Sequence, residues 1–85
     1  MRLDKYLKVS RIIKRRTVAN EACDLGRVSI NGKVAKPSAE VREGDELSIR
    51  LGSRLMRARV LSISEHVSKA EASGMYELLE GQEDV

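Results

Sequence analysis

Eighty-five residues make one small domain, since two hydrophobic cores cannot be divided out of so short a chain and no room is left for a separate catalytic domain. The core has to be built from Leu, Val, Ile and Ala because Phe and Trp are absent, so a modest stability that gains from a partner is expected. The net charge of +3 conceals a segregation into +8 over residues 1–64 and −5 over residues 65–85, which marks a first part suited to a polyanion and an acidic extension suited to staying off it.

The lone Cys23 excludes an internal disulfide, and neither a signal peptide nor an apolar run of membrane-spanning length is visible. A cytoplasmic protein without a membrane partner is expected. The opening sixteen residues carry seven lysines and arginines against Asp4 alone. At about 100° per residue, Leu3, Tyr6, Leu7 and Ser10 share one face while Asp4, Lys5 and Lys8 project away, which predicts an amphipathic helix over Leu3 to Ser10. Thr17 can serve as the N-cap of a second helix whose apolar face is Val18, Ala19, Ala22 and Leu25, with Asn20, Glu21 and Asp24 outward and Gly26 as its terminator.

Val28 and Ile30 alternate with polar residues, and Asn31-Gly32 tolerates the positive φ of a type I′ turn, so a hairpin follows, its second arm broken at Lys36-Pro37-Ser38. Glu43-Gly44-Asp45 makes the next turn before a third strand from Glu46 to Leu51. A fourth strand is predicted from Leu55 to Ile63. Ser68 and Glu71 have the spacing of a capping box, which predicts a short helical turn and then a loose or extended piece, with the last five residues disordered.

The cations carry the functional signal. Lys14-Arg15-Arg16 precede the second helix, where positive charge opposes the macrodipole and costs a few tenths of a kcal/mol each, roughly. A bound phosphate reverses that balance, accepting from free backbone N–H groups and arginines together. Arg2, at the start of the first helix, invites the same reasoning, against the competing reading of a mobile terminus. Asp4 among these cations suits a cap or an orienting partner. Arg27, Lys33 and Lys36 extend the positive charge onto the hairpin.

Only Tyr6 and Tyr76 are aromatic, and Tyr6 falls on the buried stripe, so a stacking platform for unpaired bases is missing. Recognition of backbone and shape points to structured RNA, with a DNA helix-turn-helix still open. His66 is the single histidine, Cys23 has no second ligand at metal spacing and reads as core filler, and GRVSING is turn chemistry rather than a phosphate loop. No enzyme, metal or cofactor is expected.

The ordered residues RLDKYL from Arg2, Arg11, KRRTVA from Lys14, GRVSING from Gly26, Lys36-Pro37-Ser38 and Val41 to Gly44-Asp45 resemble the S4 RNA-binding domain over residues 2–64. That resemblance implies an α+β fold of two or three short helices on a small, curved, mostly antiparallel sheet, as a domain at 1–64 followed by the acidic extension 65–85. Stand-alone S4 proteins include the small ribosome-associated heat-shock family, which ends in a long basic extension. The acidic ending with MYELLE and the KRRT run are more similar to the bacterial ribosome-associated quality-control S4 factors.

The latter resemblance implies a non-catalytic, monomeric factor on obstructed large ribosomal subunits. It would sit between large-subunit rRNA and P-site tRNA and support an alanine-tailing partner of the NEMF family. By position it implies Arg2 and Arg16 as principal RNA contacts, Lys5, Lys8, Arg11, Lys14 and Arg15 beside them, and Asp4 as their support. The alternatives are a heat-shock-type recycling factor, an RNA-binding accessory subunit of an RNA-modifying enzyme, and a structural ribosomal protein.

Overall fold

The structure is a computed structural model that describes residues 1–79 and the backbone of Glu83–Asp84. Three α-helices, α1 (Leu3–Val9), α2 (Arg16–Asp24) and α3 (Lys69–Ala72), stand with strands β1 (Val28–Ile30), β2 (Lys33–Val34), β3 (Glu46–Leu51), β4 (Arg54–Val60), β5 (Tyr76–Leu78) and β6 (Glu83–Asp84). The sheet runs β2-β1-β3-β4-β5 with β6 also on β4, and every pairing is antiparallel. This is the α+β arrangement expected from the periodicity.

Helix α1 exists because Leu3, Tyr6 and Leu7 fall on one side and are fully buried, with Ser10 beneath them. Its first N–H groups do not go unmet: Leu3 N donates to the Ala39 carbonyl (2.8 Å) and Asp4 N to the Pro37 carbonyl (3.1 Å). Arg2 pairs across to Glu40 as an isolated bridge, and Val41 N donates to the Met1 carbonyl at 2.8 Å. The start of the chain is therefore a built element, and the mobile-terminus reading of Arg2 fails.

The helix ends at Val9, with Arg11 in the left-handed region at φ 62°, its N–H donating to the Lys8 carbonyl at 3.0 Å. Glycine or asparagine usually takes this position; here an arginine does.

Helix α2 begins two residues earlier than expected. Arg15 is its N-cap, extended at φ −117° and ψ 130°, and its carbonyl accepts from Ala19 N at 3.0 Å, so Thr17 lies inside the first turn and is not the cap. No side chain caps this end. The buried face is also rotated: Ala19, Ala22 and Cys23 are inside, whereas Val18 and Leu25 are exposed. Small residues there let α2 lie close against α1. Gly26, at φ 75°, closes the helix, with its N–H on the Cys23 carbonyl and the Arg27 N–H on the Ala22 carbonyl, both at 3.0 Å.

Asn31 and Gly32, at φ 51° and 86°, form the expected tight turn between β1 and β2. The Asn31 side chain also accepts from Glu46 N (3.0 Å), fastening the turn to β3. Strand β3 has the predicted bounds, with Leu47 and Ile49 inward. Strand β4 stops at Val60, short of Ile63, because Leu61 N and Ser62 N leave the ladder for the Met75 carbonyl at 2.8 and 3.1 Å.

The chain after residue 64 packs against the same core. Ser68 and Glu71 form the expected capping box of α3, a single 3₁₀ turn (Ser73–Met75) follows, and Met75 is buried. The buried Tyr6 hydroxyl donates to the Met75 carbonyl at 2.9 Å, which joins α1 to the end of the chain. The expectation of disorder over the last five residues falls mostly outside the described residues; within it, the backbone of Glu83–Asp84 pairs with Arg54 and Leu55.

Candidate nucleic-acid interface

Asp4 is the organising group, and it does not project away from the core as its sequence position implied. Its side chain is only 3% exposed, while the side chains of Arg2 and Arg16 that meet it are 52% and 48% exposed. Oδ1 accepts from Arg2 Nε (3.1 Å), Lys5 N (2.8 Å) and Arg16 Nη2 (3.4 Å), and Oδ2 accepts from Arg2 Nη2 (3.3 Å) and Asn20 Nδ2 (3.2 Å). Burial pushes this carboxyl toward its neutral form, yet the hydrogen bonds from Arg2, Asn20 and Arg16 outweigh it and hold the pKa below its ordinary value. Asp4 is thus a fixed anion that aims two guanidinium groups from different helices to one side of the molecule.

This geometry follows from local structure. Arg2 is the N-cap residue of α1 and Arg16 the first residue of α2, so packing the two helices brings their N-terminal ends within reach of one carboxylate. A carboxylate two residues into α1 also suits the positive end of its dipole. Each guanidinium keeps N–H groups directed outward, since a planar fork of five donors is only partly used by one oxygen or two. A second acceptor, such as a phosphate, completes it.

The other predicted cations divide into groups. Lys8, Arg11 and Lys14 line one cleft of about 390 Å³ together with Val9, Glu65, His66 and Val67. Among the described residues these three cations and Arg15 form no ion pair. Lys5 is engaged by Glu65, whose carboxyl the Lys5 hydrogen bond holds below its ordinary range. Lys36 shares a second groove with Arg2, Asn20 and Pro37. Thr17 lines a shallow recess with Asp4, Arg16 and Asn20. Arg27 is not brought to this side: it borders a separate groove with Arg50, and Lys33 stands exposed on β2.

Asn20 is the site residue that sequence reading missed, having been assigned simply to the outward face. The available signal was its spacing, four residues after Arg16 and hence on the same side of α2. Cys23 is buried, and its burial, with the nearby charges of Asp4 and Asp24, pushes the thiol pKa up to about 11. It is a neutral thiol at physiological pH, as a packing residue should be. Among the described residues no three of His, Cys, Asp and Glu gather as metal ligands, and no helix is long and apolar enough to cross a membrane.

Comparison with known proteins gives this surface a setting. The family model of the S4 domain matches residues 1–47, which contain α1, α2, both arms of the hairpin and the Asp4 cluster. An RQC P-site tRNA stabilizing factor from Halalkalibacterium halodurans is 55% identical over 78 residues, covering 92% of this chain and 89% of that protein. The factor of the same name from Bacillus subtilis is 53% identical over 79 residues, covering 93% and 92%. The chain belongs to the RQC P-site tRNA stabilizing factor family, within the S4 domain proteins.

The trimeric heat shock protein 15 of Vibrio cholerae has the same fold, with a TM-score of 0.87 at 32% identity over 94% of this chain and 82% of that one. The likeness to S4 proteins expected from RLDKYL and KRRTVA is therefore found. In the family's frame, the matched segment is the part of the molecule that positions Arg2 and Arg16.

Proposed function

We propose that this protein is a non-catalytic RNA-binding factor of bacterial ribosome-associated quality control. It holds large-subunit rRNA and P-site peptidyl-tRNA on obstructed large subunits in the cytoplasm and, acting as a monomer, supports alanine tailing by a NEMF-family partner. The observation that carries the reading is the buried Asp4 carboxylate holding Arg2 and Arg16 side by side and half exposed. An enzyme site would be expected to gather a nucleophile or a base in a cleft; this site gathers donors for phosphate.

The names of the family's curated members, which refer to RQC and to P-site tRNA, support the ribosomal setting. Arg2 and Arg16 make the principal phosphate contacts. Lys8, Arg11 and Lys14, free of ion pairs among the described residues, extend them along the cleft they line, with Lys5 beside it on Glu65, Arg15 next to Arg16 in the chain, Lys36 in the groove that also holds Arg2, and Arg27 and Lys33 as outlying charges on the hairpin. Residues 1–64 form the RNA-binding unit. Beyond Glu65, which borders the cleft and engages Lys5, the acidic residues of 65–85 keep that end of the chain off RNA.

A reconstituted tailing assay tests this: purified large subunits bearing peptidyl-tRNA, the alanine-adding partner, and wild-type or Arg16→Ala protein. Loss of most alanine addition in the variant, with its melting temperature unchanged, supports the proposal; full addition overturns it. The fold likeness to heat shock protein 15 favours a second reading, a recycling factor for blocked subunits. That reading requires ribosome binding to be independent of the tailing partner.

A further inference from the structure

Helix α2 carries two exposed surfaces on the two flanks of its buried stripe, and only one of them belongs to the Asp4 site. At about 100° per residue, Arg16, Thr17 and Asn20 lie on one flank, and Val18, Glu21 and Leu25 on the other. The second flank forms, with the end of β3, a groove of about 300 Å³ floored by Ile13 and Ala22 and lined by Val18, Leu25 and Leu51. Val18 and Leu25 are 48% and 59% exposed, so the groove gathers three of the large apolar residues that the fold leaves uncovered. Arg27 and Arg50 stand at its rim. They are held adjacent by the hydrogen bond from Arg50 N to the Arg27 carbonyl at 2.9 Å, and neither forms an ion pair among the described residues.

This composition suits neither solvent nor an RNA backbone. Exposed valine and leucine gain nothing from phosphates, whereas covering them with a partner's apolar side chains removes that surface from water, and arginine is itself enriched at protein interfaces. We propose that the groove docks a short amphipathic segment of a partner protein, with apolar side chains seated over Val18, Leu25 and Leu51 and carboxylates reaching Arg27 and Arg50. The charge of the rim selects an acidic segment, since Glu21 is its single anion. Because the groove and the Asp4 site occupy different flanks of α2, RNA and this segment bind at the same time. The inference stands on Arg27, Arg50 and the apolar residues alone and does not depend on the RNA reading.

The test is an NMR titration of isotope-labelled protein with three synthetic twelve-residue helical peptides. One has Leu on one face and Glu flanking it, one has Lys in place of Glu, and one has Ala in place of Leu. The first is expected to give saturable shifts at Val18, Leu25, Arg27, Arg50 and Leu51, with the other two at least tenfold weaker. The double variant Arg27→Glu, Arg50→Glu should reverse the preference between the Glu and Lys peptides while the remaining spectrum is unchanged.

Equal binding of the Glu and Lys peptides, or shifts confined to the Arg2 and Arg16 side, overturn the proposal. So do shifts at Val18, Leu25 and Leu51 on adding an RNA hairpin, Arg27 being a charge that the RNA reading also uses. Shifts that depend on protein concentration alone assign the groove to a second copy. Shifts at Val18 and Leu25 of α2 on deleting residues 80–85, away from the β4 residues that Glu83 and Asp84 pair with, assign it to the chain's own end.

Discussion

Replacing Asp4 with Asn removes one charge from a buried position and changes almost no volume, so its effects separate electrostatics from packing. In the native protein the carboxylate accepts from Arg2, Arg16, Asn20 and Lys5 N. A hydrogen bond to a charged group contributes about 1.5–3 kcal/mol. The arginines are half exposed, so solvent screens their share and the full sum is not reached. An asparagine also turns an amide N–H₂ toward guanidinium donors, which leaves donors facing donors. The net loss is about 2–3 kcal/mol, which for a domain of this size lowers Tm by roughly 10–20 °C.

The pH dependence has a definite sign. The folded-state pKa of Asp4 is depressed, so its contribution is fully present above the unfolded-chain value of about 4 and disappears as pH falls through the folded value. Urea unfolding followed by circular dichroism from pH 7 to pH 2 should show a gap between wild type and Asp4→Asn that is constant near neutrality and closes in acid. Affinity for RNA should also fall even though the variant is one unit more positive, because Arg2 and Arg16 lose their aim. A variant within 0.5 kcal/mol of wild type at pH 7, a gap that does not narrow in acid, or tighter RNA binding refutes the reasoning.

Other outcomes follow from the same geometry. Arg11→Gly removes a left-handed arginine, which costs about 1–2 kcal/mol relative to an unstrained residue, partly offset by glycine's chain entropy; calorimetry should show a gain near 0.5–1 kcal/mol while RNA affinity drops, and a loss of stability contradicts the strain. Glu65→Gln releases Lys5, so RNA titrations should show a two- to tenfold tighter complex and a log–log salt slope steeper by about one unit; unchanged affinity removes the idea that Glu65 occupies a phosphate position. Tyr6→Phe should cost only about 1 kcal/mol in denaturant unfolding, because the Met75 carbonyl keeps its bonds from Leu61 N and Ser62 N and is not orphaned; a loss above 3 kcal/mol shows that the hydroxyl organises more than this one contact.

What could be read from the sequence was local. Leu3, Tyr6, Leu7 and Ser10 announce their shared face by spacing, Asn31-Gly32 announces its turn by tolerance of positive φ, and Ser68 with Glu71 announces a cap. The misreadings were about contacts between elements. Asp4 looks like a surface residue among lysines until α2 brings Arg16 and Asn20 over it, and that burial has no periodic signature. Val18 and Leu25 look like core because they are apolar and share a side with Ala22. The structure leaves both exposed and buries Ala19, Ala22 and Cys23, the last already read as core filler, since a stripe of small residues permits the closer approach to α1. Thr17 has the chemistry of a cap, but the chain turns at Arg15, which puts Arg16 where it meets Asp4.

The central claim is that Arg2 and Arg16, fixed by Asp4, hold RNA on the large subunit. Sucrose-gradient sedimentation of tagged wild-type and Arg16→Ala protein from lysate, with sequencing of the RNA crosslinked to each, tests it most directly. The account predicts co-migration of the wild type with large subunits carrying tRNA, crosslinks to both rRNA and tRNA, and loss of both in a variant that still folds. An Arg16→Ala protein that sediments and crosslinks like wild type, or a wild type that stays at the top of the gradient, contradicts it.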